Sequence, residues 1–220
     1  MKVAVIIPDF NEGERVLPVI EAACGAVGVG EVIVVDDGST DGTADLLASQ
    51  DGIKVLTHTT NRGKGEALDT GMQYARGVGC NSAVFLDADL LGIDPGHINQ
   101  LLEPLEYGSW MSIGYLGLRK TVVKKVVLDR WGALSGQRAI RTEVWDFLSE
   151  KDKHGWNIEA ALNARVRKHG LHRTIARVAL EGVSHVGKRE KSDSLHKALS
   201  EYAKTYSASY LTYARIEMGF

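Results

Sequence analysis

The chain has 220 residues, enough for one sizeable core or for one domain with an appended arm. Hydrophobic residues make up 44% and charged residues 25%, an ordinary globular balance that argues against disorder. A formal net charge of -2 removes any whole-protein case for nucleic-acid binding.

The two cysteines, Cys24 and Cys80, belong to no CxxC pair, which speaks against a zinc ribbon, a thioredoxin-like site and a disulfide framework. The opening apolar run, Val3 to Ile7, is too short for a signal sequence and is broken by Pro8. No stretch reaches the roughly 18 uninterrupted apolar residues of a membrane span. A cytoplasmic protein is expected, with peripheral contact at the inner membrane face left open.

In chain order, Val3–Ile7 reads as a strand, Glu14–Ala26 as a helix and Glu31–Val35 as a second strand, after a turn marked by Gly25, Gly28 and Gly30. Thr43–Ser49 reads as a helix, Ile53–Thr57 as a strand, Gly65–Ala75 as a helix and Ala83–Leu86 as a strand. The strands are continuous apolar runs, as expected where both faces are covered. Strand and helix in turn imply βαβ units and a mostly parallel sheet. The pattern then loosens. Pro95–Tyr107 reads as a helix, Trp110–Tyr115 as a strand, Thr121–Trp131 as an apolar-basic helix and Leu134–Arg138 as a loop. Trp156–His169 reads as a helix stopped by Gly170, Arg173–Val183 as a strand, and Leu195–Met218 as a helical tail.

Polar residues gather where the first four strands end. Asp9, Asn11 and Glu12 follow the first, and Asp36-Asp37-Gly38-Ser39 the second. Asn61-Arg62-Gly63-Lys64-Gly65 follows the third, and Asp87-Ala88-Asp89 the fourth. Open α/β sheets bind ligands at these strand ends, so the four clusters predict a nucleotide site. Two carboxylates at i and i+2 suit Mg²⁺ or Mn²⁺, which can bridge diphosphate oxygens. An isolated DxD is more often a solvated turn or a cap; the preceding Val84-Phe85-Leu86 run shifts that balance. Ser39, Thr40 or Asp41 caps the helix near Thr43, but three acids and two glycines exceed what a cap needs. Lys64 is followed by Gly65 rather than Ser or Thr, so this is no Walker A loop, and no GxGxxG lies between a strand and a helix.

The motifs Ile7-Pro8-Asp9-Phe10-Asn11-Glu12, Val35 to Thr43, Gly63-Lys64-Gly65 and Leu86-Asp87-Ala88-Asp89 resemble, in order and spacing, those of the GT-A glycosyltransferases. The sequence is similar in particular to family 2 and its relatives, which include polyprenyl-phosphate sugar synthases and glucosyl-3-phosphoglycerate synthases. The resemblance covers about residues 1–90 and continues more loosely through Ser135-Gly136-Gln137-Arg138, Glu159 and His185. It implies a Rossmann-like α/β nucleotide-diphospho-sugar transferase fold over residues 1–220. Residues 1–90 would be the nucleotide half, 91–190 the acceptor and metal half, and 191–220 a helical tail.

The resemblance also implies a metal-dependent transfer of sugar from a nucleoside-diphosphate sugar, UDP-linked rather than GDP-linked by preference. Pro8, Glu12, Asp37, Ser39 and Lys64 would hold base and ribose. Asp89 would ligate Mg²⁺ or Mn²⁺, with Asp87 beside the ribose or metal. Gly136 would offer a backbone N–H beneath the sugar and Arg138 a fork for an anion. Glu159 would be the general base for a hydroxyl acceptor, or would only position an acceptor phosphate that is already ionised. Its plainer reading is a helix N-terminal glutamate. Asp9 stands where relatives carry a small residue or Thr and would add a carboxylate near the nucleotide. Leu91 stands where some polyprenyl-phosphate enzymes place a glutamine metal ligand, and His185 is expected to fill that role.

Lys188, Arg189 and Lys191 would contact diphosphate or form a solvated loop. The basic residues Arg119, Lys120, Lys124, Lys125 and Arg130, set among valines, would meet a membrane or an acceptor phosphate, or form a wet helix face. The tail stripe of Leu195, Leu199, Tyr202, Tyr206, Tyr210 and Tyr213 suits core or homodimer packing, with a membrane interface as the alternative. The acceptor would be a small phosphorylated molecule or a polyprenyl phosphate. Rival classes are a sugar-phosphate nucleotidyltransferase, whose glycine-rich loop is replaced here by Pro8 to Glu12, and a non-catalytic sugar-nucleotide-binding protein.

Overall fold

A computed structural model of the chain describes residues 1–116, 135–185, 207–208 and 211–218. The first 85 residues alternate strand and helix. β1 (Val3–Asp9) leads through a 3₁₀ turn into α1 (Leu17–Gly25), followed by β2 (Val29–Asp36), α2 (Thr43–Ala48), β3 (Lys54–Thr57), α3 (Lys64–Gly77) and β4 (Ser82–Phe85). Then come β5 (Leu90–Leu91), α4 (Pro95–Glu106), β6 (Met111–Leu116), β7 (Arg138–Arg141), α5 (Ile158–Lys168), β8 (Ile175–Leu180) and β9 (Ser184–His185). Residues 211–218 form a C-terminal helix.

One seven-stranded sheet runs in the order β3-β2-β1-β4-β7-β6-β8, and β5 pairs with β9 separately. β1, β2, β3 and β4 are mutually parallel, as the alternation of elements required. β7 enters antiparallel between β4 and β6. The sheet is thus mostly parallel with a reversed strand near its middle.

Alternation along β1 explains its unbroken apolar run. Val3, Val5 and Ile7 bury against the layer of α1 and α4, while Ala4 and Ile6 bury against that of α3 and α5. Each of these valines and isoleucines contributes about 1.5–3 kcal/mol on burial, and Ala4 less. Phe85 meets Trp145 edge-on at 5.5 Å in the second layer. α4 is fixed at its start by Asp94, which accepts from the His97 backbone N–H at 3.0 Å while His97 Nδ1 takes the Asp94 N–H, with Pro95 in the first turn.

The expected strands and helices of residues 1–116 are present with ends shifted by a few residues. The expected loop over Leu134–Arg138 stops one residue sooner, because Arg138 already belongs to β7. The expected strand over Arg173–Val183 is a 3₁₀ turn, His172–Thr174, followed by β8. The apolar-basic helix over Thr121–Trp131 lies outside the described residues, as does most of the tail stripe. The described part of the tail packs inward: Tyr213 and Ile216 are buried in the α3–α5 layer. Among the described residues no helix is long and apolar enough to cross a membrane.

Candidate active site

Because β1 to β4 run parallel, their carboxyl ends share one edge, and the loops leaving them are stitched together there. Asn11 adopts a left-handed backbone (φ 56°), uncommon for a residue with a side chain. In that pose its N–H donates to Ser39 Oγ at 2.9 Å and its Oδ1 accepts from the Thr40 N–H at 2.8 Å. The Gly13 N–H donates to Thr43 Oγ1 at 2.9 Å. Ser39 therefore joins the loops after β1 and β2. Glu12, beside it, accepts from Arg15 Nε at 2.7 Å. Pro8 is partly exposed at the end of β1, in register with Val35.

Asp37 is 3% exposed and accepts backbone N–H groups from Arg62 at 2.9 Å and Gly63 at 2.7 Å. The loop after β3 is thereby drawn over the end of β2 and delivers Lys64 to the start of α3. Lys64 Nζ lies 2.6 Å from Asp87 Oδ1 and 2.7 Å from Glu159 Oε1. Burial alone would drive this ammonium toward its neutral form, but the two carboxylates outweigh it and hold the Lys64 pKa above the usual lysine value. Burial likewise pushes the Asp87 carboxyl up, yet Lys64, then His185, then the hydrogen bonds from Lys64 and Gln137 bring it below the usual value.

Gln137, fully buried, donates to Asp87 Oδ2 at 2.8 Å and ties the 135–137 loop to the acid. Gly136 makes that approach feasible, since a Cβ there would collide with both carboxylate oxygens of Asp87 and with Lys64 Nζ. Glu159 arrives from the first turn of α5.

Asp87, Asp89 and His185 offer ligand atoms that all lie within 4.8 Å of one another. The short β5–β9 ladder pairs Leu90 with His185 and so sets the ring beside the DxD turn. His185 Nδ1 is 3.4 Å from Asp89 Oδ1, and Nε2 is 3.9 Å from Asp87 Oδ2. The hydrogen bond to Asp89 raises the histidine pKa, burial opposes this, and the charges of Asp87 and Asp89 add to it. Two carboxylates and an imidazole form a donor set that fits Mg²⁺ or, with its nitrogen ligand, Mn²⁺.

Two further expected site residues are buried. Asp9, expected near the nucleotide, is 1% exposed. It follows Val3, Val5 and Ile7 on the face turned to α1, beside Asp36, with both carboxyl oxygens outside hydrogen-bonding geometry. Arg138, expected as an open fork, is also 1% exposed. Its Nε donates to the Ser135 carbonyl at 2.9 Å and its Nη1 to Asn163 Oδ1 at 3.1 Å. Burial lowers its pKa, while Glu159, Tyr115 and Asp87 oppose that. It lies behind the acids as a fixed positive charge.

Lys188, Arg189 and Lys191 lie outside the described residues. The sequence reading passed over His58, which bonds Asp37, and gave Gln137 no role. The signal for His58 was its place directly after β3, where the other strands also carry polar residues.

A mixed sheet whose parallel strands end on one polar edge, with a metal-capable acidic turn beside it, is the architecture of the GT-A class of α/β proteins. The family description "Glycosyl transferase family 2" matches residues 4–147. The chain belongs to that family of glycosyltransferases. It is 32% identical over 197 residues to polyprenol monophosphomannose synthase of Mycolicibacterium smegmatis, covering 76% of this chain and 72% of that protein. It is 39% identical over 116 residues to undecaprenyl-phosphate 4-deoxy-4-formamido-L-arabinose transferase of Pseudomonas paraeruginosa, covering 48% of this chain and 33% of that one. The chain thus spans only about a third of the second relative. Glucosyl-3-phosphoglycerate synthase from Mycobacterium tuberculosis, crystallised with Mn²⁺, UDP-glucose and phosphoglyceric acid, superposes with a TM-score of 0.75 at 25% identity, covering 97% of this chain and 80% of that one.

Proposed function

We propose that the protein transfers a sugar from a nucleoside-diphosphate sugar, UDP-linked in preference to GDP-linked, to an acceptor bearing a phosphate. The observation that carries this reading is the convergence of Asp87, Asp89 and His185 within 4.8 Å at the carboxyl edge of the sheet, beside the buried Lys64. A divalent cation held there would neutralise charge on the departing diphosphate. The solved relative with Mn²⁺ and UDP-glucose supports both the metal and the base. Phosphate is the chemistry common to phosphoglyceric acid in that structure and to the undecaprenyl phosphate of the second relative's name.

Within this reading the nucleotide is held by residues 1–90, the metal by Asp87, Asp89 and His185, and the acceptor by residues 91–190. Pro8, Glu12, Asp37 and Ser39 line the base and ribose end, where Asp37 accepts an N–H of the base. Lys64 fixes Asp87 and Glu159 at a set separation, and the Gly136 loop closes over them. Glu159 takes the proton of an acceptor hydroxyl or, when the attacking group is an ionised phosphate, orients it. Arg138 supports both acids from behind and does not touch substrate.

The test is a thermal-shift series with UDP- and GDP-sugars, with and without Mn²⁺, followed by sugar transfer to polyprenyl phosphate or phosphoglycerate. The wild type should be stabilised by one donor class only with metal, and Asp89→Ala should lose both that shift and at least about 100-fold of the transfer rate. If no nucleotide sugar stabilises the wild type, or Asp89→Ala responds equally, the reading fails. Binding without transfer to either acceptor would instead indicate a sugar-nucleotide sensor.

A further inference from the structure

We propose that His58 is a positioning residue for nucleobase recognition, holding Asp37 so that its one remaining acceptor position receives a ring N–H of the base. The proposal rests on the donor reading above and adds a residue that the family motifs do not contain.

His58 follows β3 directly and is 8% exposed. Its backbone N–H donates to the Asp36 carbonyl at 2.9 Å, which pins it against the end of β2. Both ring nitrogens are engaged: Nδ1 lies 2.6 Å from Asp37 Oδ1, and Nε2 lies 2.9 Å from Thr70 Oγ1 on α3. A carboxylate only accepts, so Nδ1 carries the hydrogen toward Asp37. A ring held at both edges cannot turn without losing a buried bond.

A carboxylate offers about four acceptor positions. His58 and the Arg62 N–H occupy Oδ1, and the Gly63 N–H occupies one position on Oδ2. Among the described residues, one position on Oδ2 remains. The loop that supplies the two backbone donors lies directly on Gly38, whose backbone is left-handed (φ 78°) and where a Cβ would stand 2.6 Å from the Thr60 carbonyl carbon. Three donors from the connection between β3 and α3 thus fix the plane of the carboxylate and the direction of its free position. Such an acceptor pairs with bases that carry a hydrogen on the ring nitrogen, as uracil and guanine do. Without His58 each oxygen keeps a single backbone donor, and the carboxylate loses the side-chain bond that fills Oδ1 and steadies its tilt.

The experiment measures binding of UDP or GDP, whichever the wild type holds more tightly, and of inorganic pyrophosphate, both by calorimetry in Mn²⁺. The variants are His58→Leu, His58→Asn and Thr70→Val. His58→Leu should weaken nucleotide binding about 10-fold and leave pyrophosphate within about twofold. His58→Asn, whose amide N–H can replace the Nδ1 donor, should recover most of the loss. Thr70→Val, which frees only the far edge of the ring, should give a smaller loss confined to the nucleotide, and it serves if His58→Leu does not fold. Equal weakening of both ligands, undiminished nucleotide binding, or no recovery with Asn would overturn the proposal while leaving the donor reading intact. A wild type that binds nucleotide no better than pyrophosphate would overturn the base assignment itself.

Discussion

Asp9 and Asp36 end adjacent strands in register, with three of their four carboxyl oxygens outside hydrogen-bonding geometry. Burial pushes the Asp9 pKa from 3.8 to about 7; the Glu12 backbone N–H partly offsets this, and the charges of Glu12, Asp36 and Asp41 add to it. Between those values the folded chain holds a proton that the unfolded chain has released. The stability tied to neutral Asp9 is therefore complete below about pH 4 and is lost as pH rises to about 7. A shift of about three units corresponds to about 4 kcal/mol at most. Asp9→Asn should gain on the wild type by a few kcal/mol between pH 4 and pH 8 in urea unfolding; a constant difference across that range would refute the assignment. The sequence placed Asp9 at the nucleotide because it follows a strand. The alternation Val3, Val5, Ile7, Asp9 also turns its side chain inward, and the burial follows from it. Lys64, Asp87 and Asp89 were legible because their glycine-flanked or paired pattern has few other uses.

At the scale of elements, the chemistry of the second half depends on segments too short to announce themselves. Glu159 reaches Lys64 because residues 153–155 dock on the start of α3. Glu66 Oε2 accepts from the Gly155 N–H at 2.9 Å, and its Oε1 lies 2.6 Å from His154 Nδ1. Below them Asp152, whose side chain is fully buried, gathers Ser149, Arg165 on α5 and Arg215 on the C-terminal helix. Burial opposes its ionisation, but the Ser149 and Arg165 donors hold its pKa below the usual value. Asp152→Ala should cost about 3 kcal/mol, the lower end for a broken buried pair because both arginines can reach water. It should also expose the C-terminal helix to limited proteolysis; unchanged melting and cleavage would contradict this role. β7 escaped the sequence reading because Arg-Ala-Ile-Arg has only two apolar residues and pairs with strands far along the chain. The two-residue pairing of β5 with β9 carries no periodicity at all, so His185 was found only through family resemblance.

Over the whole molecule, the edge formed by β1 to β4 is built from consecutive βαβ units and was readable, while the second half is assembled from distant pieces and was not. The metal-capable cluster joins these two regimes. A cation bound there at 100 times its Kd should add about 2.7 kcal/mol to stability. Mn²⁺ should therefore raise the melting temperature, EDTA should reverse this, and both His185→Ala and Asp89→Asn should abolish it. A shift that survives in the variants would place the ion elsewhere.

The β5–β9 pairing brings together side chains 96 positions apart in the chain. During synthesis the two aspartates emerge long before the imidazole that completes their set, at about 5–20 residues per second. The nucleotide edge can form early, but the metal cluster cannot exist until the returning strand closes its long loop, so a nascent chain would acquire its full ligand set only as a late event.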